Sequence, residues 1–463
     1  MSTISSRPAD ERSLPDGSPA DEPDGGPGGG RLATPDGGQV SGLDEHVSGQ
    51  PGGQADEQIG RQDDGPDGPR ERAYRAARHF GPALTVFGLA KLLGFVSFLY
   101  LLNAGGDFRT KDPRFGGGAT VWDVLQSWDG WWYQNVAANG YHPQLVALAP
   151  GQLMTLDQNS AAFFPLYPGL MRLVSDCTGL GLYGAGMLVS VVSSFVAAAG
   201  IFAVTAKLTD RRTGIIAAAV WAVFPGSGAE WAVYSDSLFV ALAAWACYAV
   251  LTRRWLEAGV ITLVAGLNRP TATALIAALG VAGLISLYRR EDGIARPLTA
   301  MLISPLGLFG YVLWVGWRMG DLSGYFTLQR GAWIHYFDYG QHTGDVLRGV
   351  LFGHTDYLFT YPTEDLIAFL LVLAVPVLLF LLLRLRTPAF LIVYTLVTVV
   401  MVLGSQQIFG NTSRYLLPAF PLFVPLALAL RRVSLSSLVM IFGVAAAASG
   451  WYAGYVIFEL GVP

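Results

Sequence analysis

The stretch Trp128-Asp129-Gly130-Trp131-Trp132-Tyr133, with Gly140-Tyr141 behind it, places one carboxylate within a cluster of aromatic rings. A carboxylate pressed against an aromatic membrane surface is desolvated, which costs stability but suits proton abstraction. A second acid, Asp123, precedes it in Trp122-Asp123. With two acids near one lipid surface, one would deprotonate a substrate while the other orients or binds it. An aromatic belt at headgroup depth accounts for the rings without any catalysis, but it leaves Asp129 unexplained.

Other charged residues fall at breaks in apolar runs. Phe224-Pro225-Gly226-Ser227 leads to Tyr234-Ser235-Asp236-Ser237, where Asp236 suits a helix cap, a site residue, or both. Arg269 lies in Asn268-Arg269-Pro270-Thr271, and Arg414 in Ser413-Arg414-Tyr415. A guanidinium at such a place needs an anion. The phosphate of a lipid donor would serve through paired N–H bonds, and so would membrane headgroups or an Asp or Glu. Lys91 stands near the middle of the first apolar run, and its carboxylate partner is not legible. Ala162-Phe163-Phe164-Pro165-Leu166-Tyr167-Pro168 is too short to span a membrane and reads as a structural corner.

The elements that must carry these residues are apolar helices. Of 463 residues, 52% are hydrophobic and only 14% charged, with a mean hydropathy of +0.42. Such values describe a polytopic membrane protein. Apolar spans are expected at about 80–103, 182–206, 213–225, 231–251, 256–269, 271–288, 298–318, 365–383, 388–405, 415–430 and 434–458, about 11 in all. Alternate connections carry the basic pairs, such as Arg211 and Arg212, Arg253 and Arg254, Arg289 and Arg290, Arg384 and Arg386, and Arg431 and Arg432. By the positive-inside rule the N-terminus is then cytoplasmic, and the long segments 104–181 and 319–364 face outward. The spans at 213–225 and 256–269 are short enough to be broken or partly crossing. If the Trp128 segment is helical, Trp128, Trp131, Trp132, Asn135, Val136 and Asn139 share one stripe, with Asp129 and Tyr133 at its edge. That pattern predicts an interfacial amphipathic helix.

Residues 1–69 are rich in Gly, Pro, Asp and Ser and carry 14 acidic against 4 basic residues, so the chain's net charge of −4 hides a mildly basic membrane part. This tail is expected to be disordered and cytoplasmic, because it buries too little apolar surface to offset its ordering entropy. Residues 70–463 form the membrane domain. The basic residues are scattered in pairs, which gives no nucleic-acid signature. Two cysteines, Cys177 and Cys247, are not expected to pair, and the six histidines show no metal-ligand spacing.

In the order they occur, the Trp128 and Gly140-Tyr141 motifs, the Ala162–Pro168 stretch, Phe224-Pro225-Gly226-Ser227 with Tyr234-Ser235-Asp236-Ser237-Leu238-Phe239, Asn268-Arg269-Pro270, and Ser413-Arg414-Tyr415-Leu416-Leu417-Pro418-Ala419-Phe420-Pro421 resemble the PIG-V family. These are mannosyltransferases of the GPI mannosyltransferase II type and their bacterial relatives, within the GT-C class. The likeness covers about residues 80–430. It departs from the family at Asp236, where Glu is typical, and at Ser413, where Pro is frequent.

The resemblance implies a GT-C-like helical bundle with interfacial helices in a large first outer loop. It implies an inverting mannosyltransferase in a bacterial plasma membrane, using a polyprenyl-phosphate mannose donor at the extracytoplasmic face. Asp129 matches the position of the catalytic base. Arg414, with Arg269, would stabilise the leaving lipid phosphate. Trp128, Trp132 and Tyr133 would hold sugar or isoprene, with Asp123, Asp236 and Tyr415 as further binding residues. No metal or other cofactor is required by this scheme, and the acceptor is left open among glycan, glycolipid and protein. A lipid or solute transporter is the competing reading. Transporters usually show midplane ionisable residues and repeated halves; here Lys91 alone fits that pattern, and no repeat is visible.

Overall fold

A computed structural model describes residues 69–357 and 360–463; the expected disordered tail lies outside the described residues. The regular structure of the described chain is helical apart from one pair of two-residue strands, Tyr336–Phe337 against Ser405–Gln406, and an isolated bridge between Ala147 and Leu156. Six helices are long and apolar enough to cross a membrane: Tyr74–Gly105, Leu182–Leu208, Ala272–Arg289, Ala295–Met319, Pro362–Arg384 and Leu435–Leu460. Two more candidates are bent. Pro225–Trp231 meets Asp236–Leu251 at 107°, and Phe409–Tyr415 meets Phe420–Leu430 at 82°. The chain is therefore an all-α polytopic membrane protein with six to eight candidate spans.

The sequence led us to expect 11. The remaining three apolar segments are helical but short: Arg211–Ala222 and Trp255–Gly266 have 12 residues each and Ala389–Leu403 has 15. At about 1.5 Å per residue they reach roughly 18 to 22 Å, less than the ~30 Å hydrocarbon core. Each is packed against longer neighbours. Arg211–Ala222 lies on Leu182–Leu208 and on the first helix, and Ala389–Leu403 lies along Ala272–Arg289. Small residues allow close approach, as where Gly450 of the last helix crosses the backbone of Gly94.

The two bends free backbone groups that must find partners in a dry setting. At the first, Pro225 opens a tight 3-10 turn ending at Trp231. The carbonyl of Ser227 there accepts a 2.7 Å bond from Lys91 Nζ. Glu230, in the same turn, lies 3.1 Å from Lys91 Nζ, which also sits 4.3 Å from the centre of the Trp231 ring. Lys91 is thus a buried clamp between the first long helix and the re-entrant turn. At the second bend the Pro418 carbonyl accepts a 2.7 Å bond from the Tyr394 hydroxyl.

The helix Asp129–Asn139 forms as expected, but its buried face is not the expected stripe. Gly130, Trp132, Tyr133 and Val136 are inward, while Trp131 is exposed. Partners from distant segments decide this. Tyr133 packs with Tyr167, Met171, Val189 and Val233 in one cluster. The corner expected at Ala162–Pro168 is present: the backbone N–H of Leu166 donates to Leu267, and helix Leu166–Thr178 starts there.

Removing Lys91 alone leaves Glu230 buried without its cation. Lys91→Met should therefore destabilise the protein by about 3–5 kcal/mol, and a Lys91→Met/Glu230→Leu double variant should recover most of that loss. Unfolding in detergent, followed by thermal or denaturant melting, reads both outcomes.

Candidate active site

Four expected site residues form one line of alternating charge. Arg414 donates through its NH2 nitrogen to Asp129 and, at 2.9 Å, to Asp236; its Nε lies 3.2 Å from the same Asp236 oxygen. Arg269 pairs with the other oxygen of Asp236. The order is therefore Asp129, Arg414, Asp236, Arg269, two carboxylates alternating with two guanidiniums. Asp236 and Arg414 are almost fully buried, whereas the Asp129 side chain is 27% exposed, so Asp129 is the open acidic end.

Each member is placed by a break in the chain. Asp129 is the first residue of its helix, and Trp128 before it turns the backbone at φ 55°, a strained value for a bulky residue. Asp236 likewise opens helix Asp236–Leu251 just beyond the 107° bend. Helix N-termini favour negative charge, so both acids sit where the backbone dipoles support them. Arg414 lies in the single turn Thr412–Tyr415 at the second bend. Gly226 is required where the two bends meet, because a Cβ there would overlap the backbone of Ser413 and Arg414. Arg269 lies in the short connection after Trp255–Gly266, where Asn268 donates a 3.0 Å bond to the Ser235 carbonyl.

Two residues not singled out by sequence complete the setting. The Arg414 guanidinium lies 4.3 Å from the centre of the Tyr234 ring, and the Ser235 hydroxyl is 2.6 Å from that of Tyr133. Tyr133 and Trp132 were expected to face a sugar or lipid; both are instead packed in protein. Trp132 stacks on Phe163 at 5.6 Å, and Tyr133 meets Phe163 and Tyr167 edge-on. Trp128 is half-buried against Phe115. Asp123 stands apart from the charged line. Its carboxylate accepts from the Thr120 N–H at 2.8 Å and the Thr120 hydroxyl at 3.0 Å, capping a separate turn.

A cavity of about 840 Å³ adjoins the charged line, with Asp236, Arg269 and Tyr415 on its wall. Asp129 and Arg414, the other end of the line, are not part of that wall. Arg330, His335 and Gln407 also line it. Arg330 is exposed, stacks 4.4 Å from the Tyr336 ring centre, and has no acidic partner among the described residues. The Tyr336 hydroxyl donates 2.7 Å to Gln406, tying that wall to the second bend's segment. His335 is exposed, opening on the cavity, with protein packed around it. Desolvation, helped by the Arg269 charge, lowers its imidazole to about 4. No group of three or more metal-ligating side chains occurs among the described residues.

No protein-family model and no curated protein matches the chain. Among solved structures it aligns with the Archaeoglobus fulgidus oligosaccharyltransferase tethered to an acceptor peptide containing the NVT sequon, at 12% identity and TM-score 0.45, over 83% of this chain and 56% of that one. It aligns also with archaeal oligosaccharyltransferase AglB from the same organism in complex with an inhibitory peptide and a dolichol-phosphate, at 12% identity and TM-score 0.38, over 82% and 56%. The apo form gives 14% identity and TM-score 0.39, over 80% and 56%. The chain spans little more than half the length of these structures.

Burial ranks the acids. Asp236→Asn leaves two guanidiniums facing one partly exposed carboxylate and should cost about 3–5 kcal/mol. Asp129→Asn should cost about 1 kcal/mol or less, because Arg414 keeps Asp236. Comparative melting of the two variants checks the order. His335 gives a pH signature. Its folded value lies below the ordinary 6.5, so the unfolded chain binds the proton more readily. Stability should fall as pH drops from about 6.5 towards 4, less steeply in His335→Gln.

Proposed function

We propose that this protein is an inverting mannosyltransferase of the GT-C class, moving mannose from a polyprenyl-phosphate donor to a hydroxyl acceptor at the extracytoplasmic membrane face. The observation that carries the reading is the partly exposed Asp129 at one end of a fully paired charge line whose other end, Asp236 and Arg269, lines a cavity that Arg330 also lines. The family likeness of the motifs supplies the sugar and the donor class. The basic connections supply the face.

In this mechanism the acceptor hydroxyl oxygen attacks the anomeric carbon while Asp129 takes its proton. The bond between that carbon and the phosphate oxygen breaks on the opposite side, and its electron pair leaves with the lipid phosphate. Arg414 is a positioning residue: it holds the Asp129 carboxylate and leaves one of its oxygens free. Arg269 and Arg330 meet the phosphate as its charge grows. His335, neutral at ordinary pH, offers a hydrogen bond rather than charge. Lys91, the feature that favoured transport, is occupied by Glu230 and Ser227 and gives that reading no support.

General-base assistance is worth about 10²–10⁴ in rate. Asp129→Asn should therefore lower kcat by that factor in transfer of labelled mannose from polyprenyl-phosphate mannose, with donor binding retained; full activity in the purified variant would sink the assignment. Arg330→Ala should raise the donor KM roughly 10- to 100-fold, the range of a charged hydrogen bond, with a smaller effect on the acceptor KM.

A further inference from the structure

A second cavity, about 650 Å³, lies on the other side of helix Asp129–Asn139. Its wall carries Asp123, Gln126, Trp131, Gln134 and Asn135, closed by Leu182 at the start of the next long helix. At 100° per residue, Trp131, Gln134, Asn135 and Ala138 fall about 140° to 240° from Asp129, on the opposite face of the helix. The groove is therefore separate from the charged line, with one helix thickness between them.

The chemistry of this wall is specific. It holds three amide side chains, one carboxylate and one indole, and no lysine, arginine or histidine. A cation close to it, Arg114, stands over the Trp131 ring and is not part of the wall. The amides are only partly engaged. Gln126 donates 3.2 Å to Asp123, Gln134 donates 3.2 Å to the Gly130 carbonyl, and Asn135 accepts 2.7 Å from Asn139. This leaves the Gln126 and Gln134 oxygens and the Asn135 amide N–H groups without partners among the described residues. Asp123 is held rigid by its cap and keeps acceptor capacity. The Trp131 indole is 36% exposed, and the Arg114 guanidinium sits 4.7 Å from its centre. Planar amides and a carboxylate pair with vicinal hydroxyls, and an exposed indole face covers the apolar C–H face of a sugar ring. The cavity is of small-molecule size, within the usual ~300–1,000 Å³.

We propose that this groove is a binding subsite for a neutral glycan. Resting on the transferase reading, it holds a part of the acceptor remote from the hydroxyl that reacts at Asp129. Binding energy gathered there steadies the acceptor without touching the reacting atoms.

The test measures binding without any donor. Full-length protein in lipid nanodiscs, free of glycoside detergent, is mixed with mannotriose or maltotriose and followed by saturation-transfer NMR. The wild type and Asp129→Asn should give ring-proton signals from at least one trisaccharide. Trp131→Ala should weaken them at least fivefold, and so should Gln134→Ala/Asn135→Ala, which keeps the indole and covers the case of a misfolded tryptophan variant. Absence of signal from both trisaccharides, or signal unchanged in both variants, overturns the subsite. Trisaccharide binding by a wild type that transfers no mannose would leave the subsite standing and remove the transferase reading instead.

Discussion

Four charges that cannot be buried singly organise this molecule. An ionised carboxylate or guanidinium in a dry interior costs several kcal/mol unless a partner faces it. Asp129, Arg414, Asp236 and Arg269 meet that demand by alternating in sign. They come from four well-separated parts of the chain, so the pairing dictates where the bends must fall. Both sharp bends deliver a member of the line, Asp236 at one and Arg414 at the other.

The bends carry their own requirement. Breaking a helix inside a bundle frees carbonyls that water cannot reach. The Lys91 ammonium and the Tyr394 hydroxyl, both from neighbouring helices, answer the carbonyls of Ser227 and Pro418. Gly226 lets the two broken segments touch backbone to backbone. The same features that would weaken an ordinary span therefore fix the geometry of the charged line. The acids gain further from standing at helix starts, where backbone N–H groups are unpaired.

Much of this was legible in the sequence because it depends on local pattern. Apolar runs, their basic borders and the prolines at 225 and 270 mark helices and breaks directly, whereas 415–430 read as one span and the bend there was not foreseen. Short reach was also readable at 213–225 and 256–269, and Arg211–Ala222 and Trp255–Gly266 are indeed short helices. Partnership was not readable. Arg269 and Arg414 were equally suited to a lipid phosphate and to a carboxylate; their pairing with Asp236 needs contacts between residues far apart in the chain. The inward face of helix Asp129–Asn139 eluded periodicity because aromatic residues surround it on nearly every side. Phe163 and Tyr167, brought in by the following segment, chose Trp132 and Tyr133 over Trp131. Arg330 gave no signal in an aromatic-rich stretch, since its interest lies in lining the same cavity as Arg269.

The bond between Asp129 and Arg414 joins positions 285 residues apart. A ribosome adding about 5–20 residues per second needs tens of seconds to bridge that gap. Asp236 is made within that interval, and until Arg414 follows neither acid has the guanidinium they share. Newborn chains must therefore pass through a stage in which Asp129 has no cation and Asp236 has only Arg269. A chain stalled before Arg414 would hold Asp236 on Arg269 alone and leave Asp129 untied to the rest of the line.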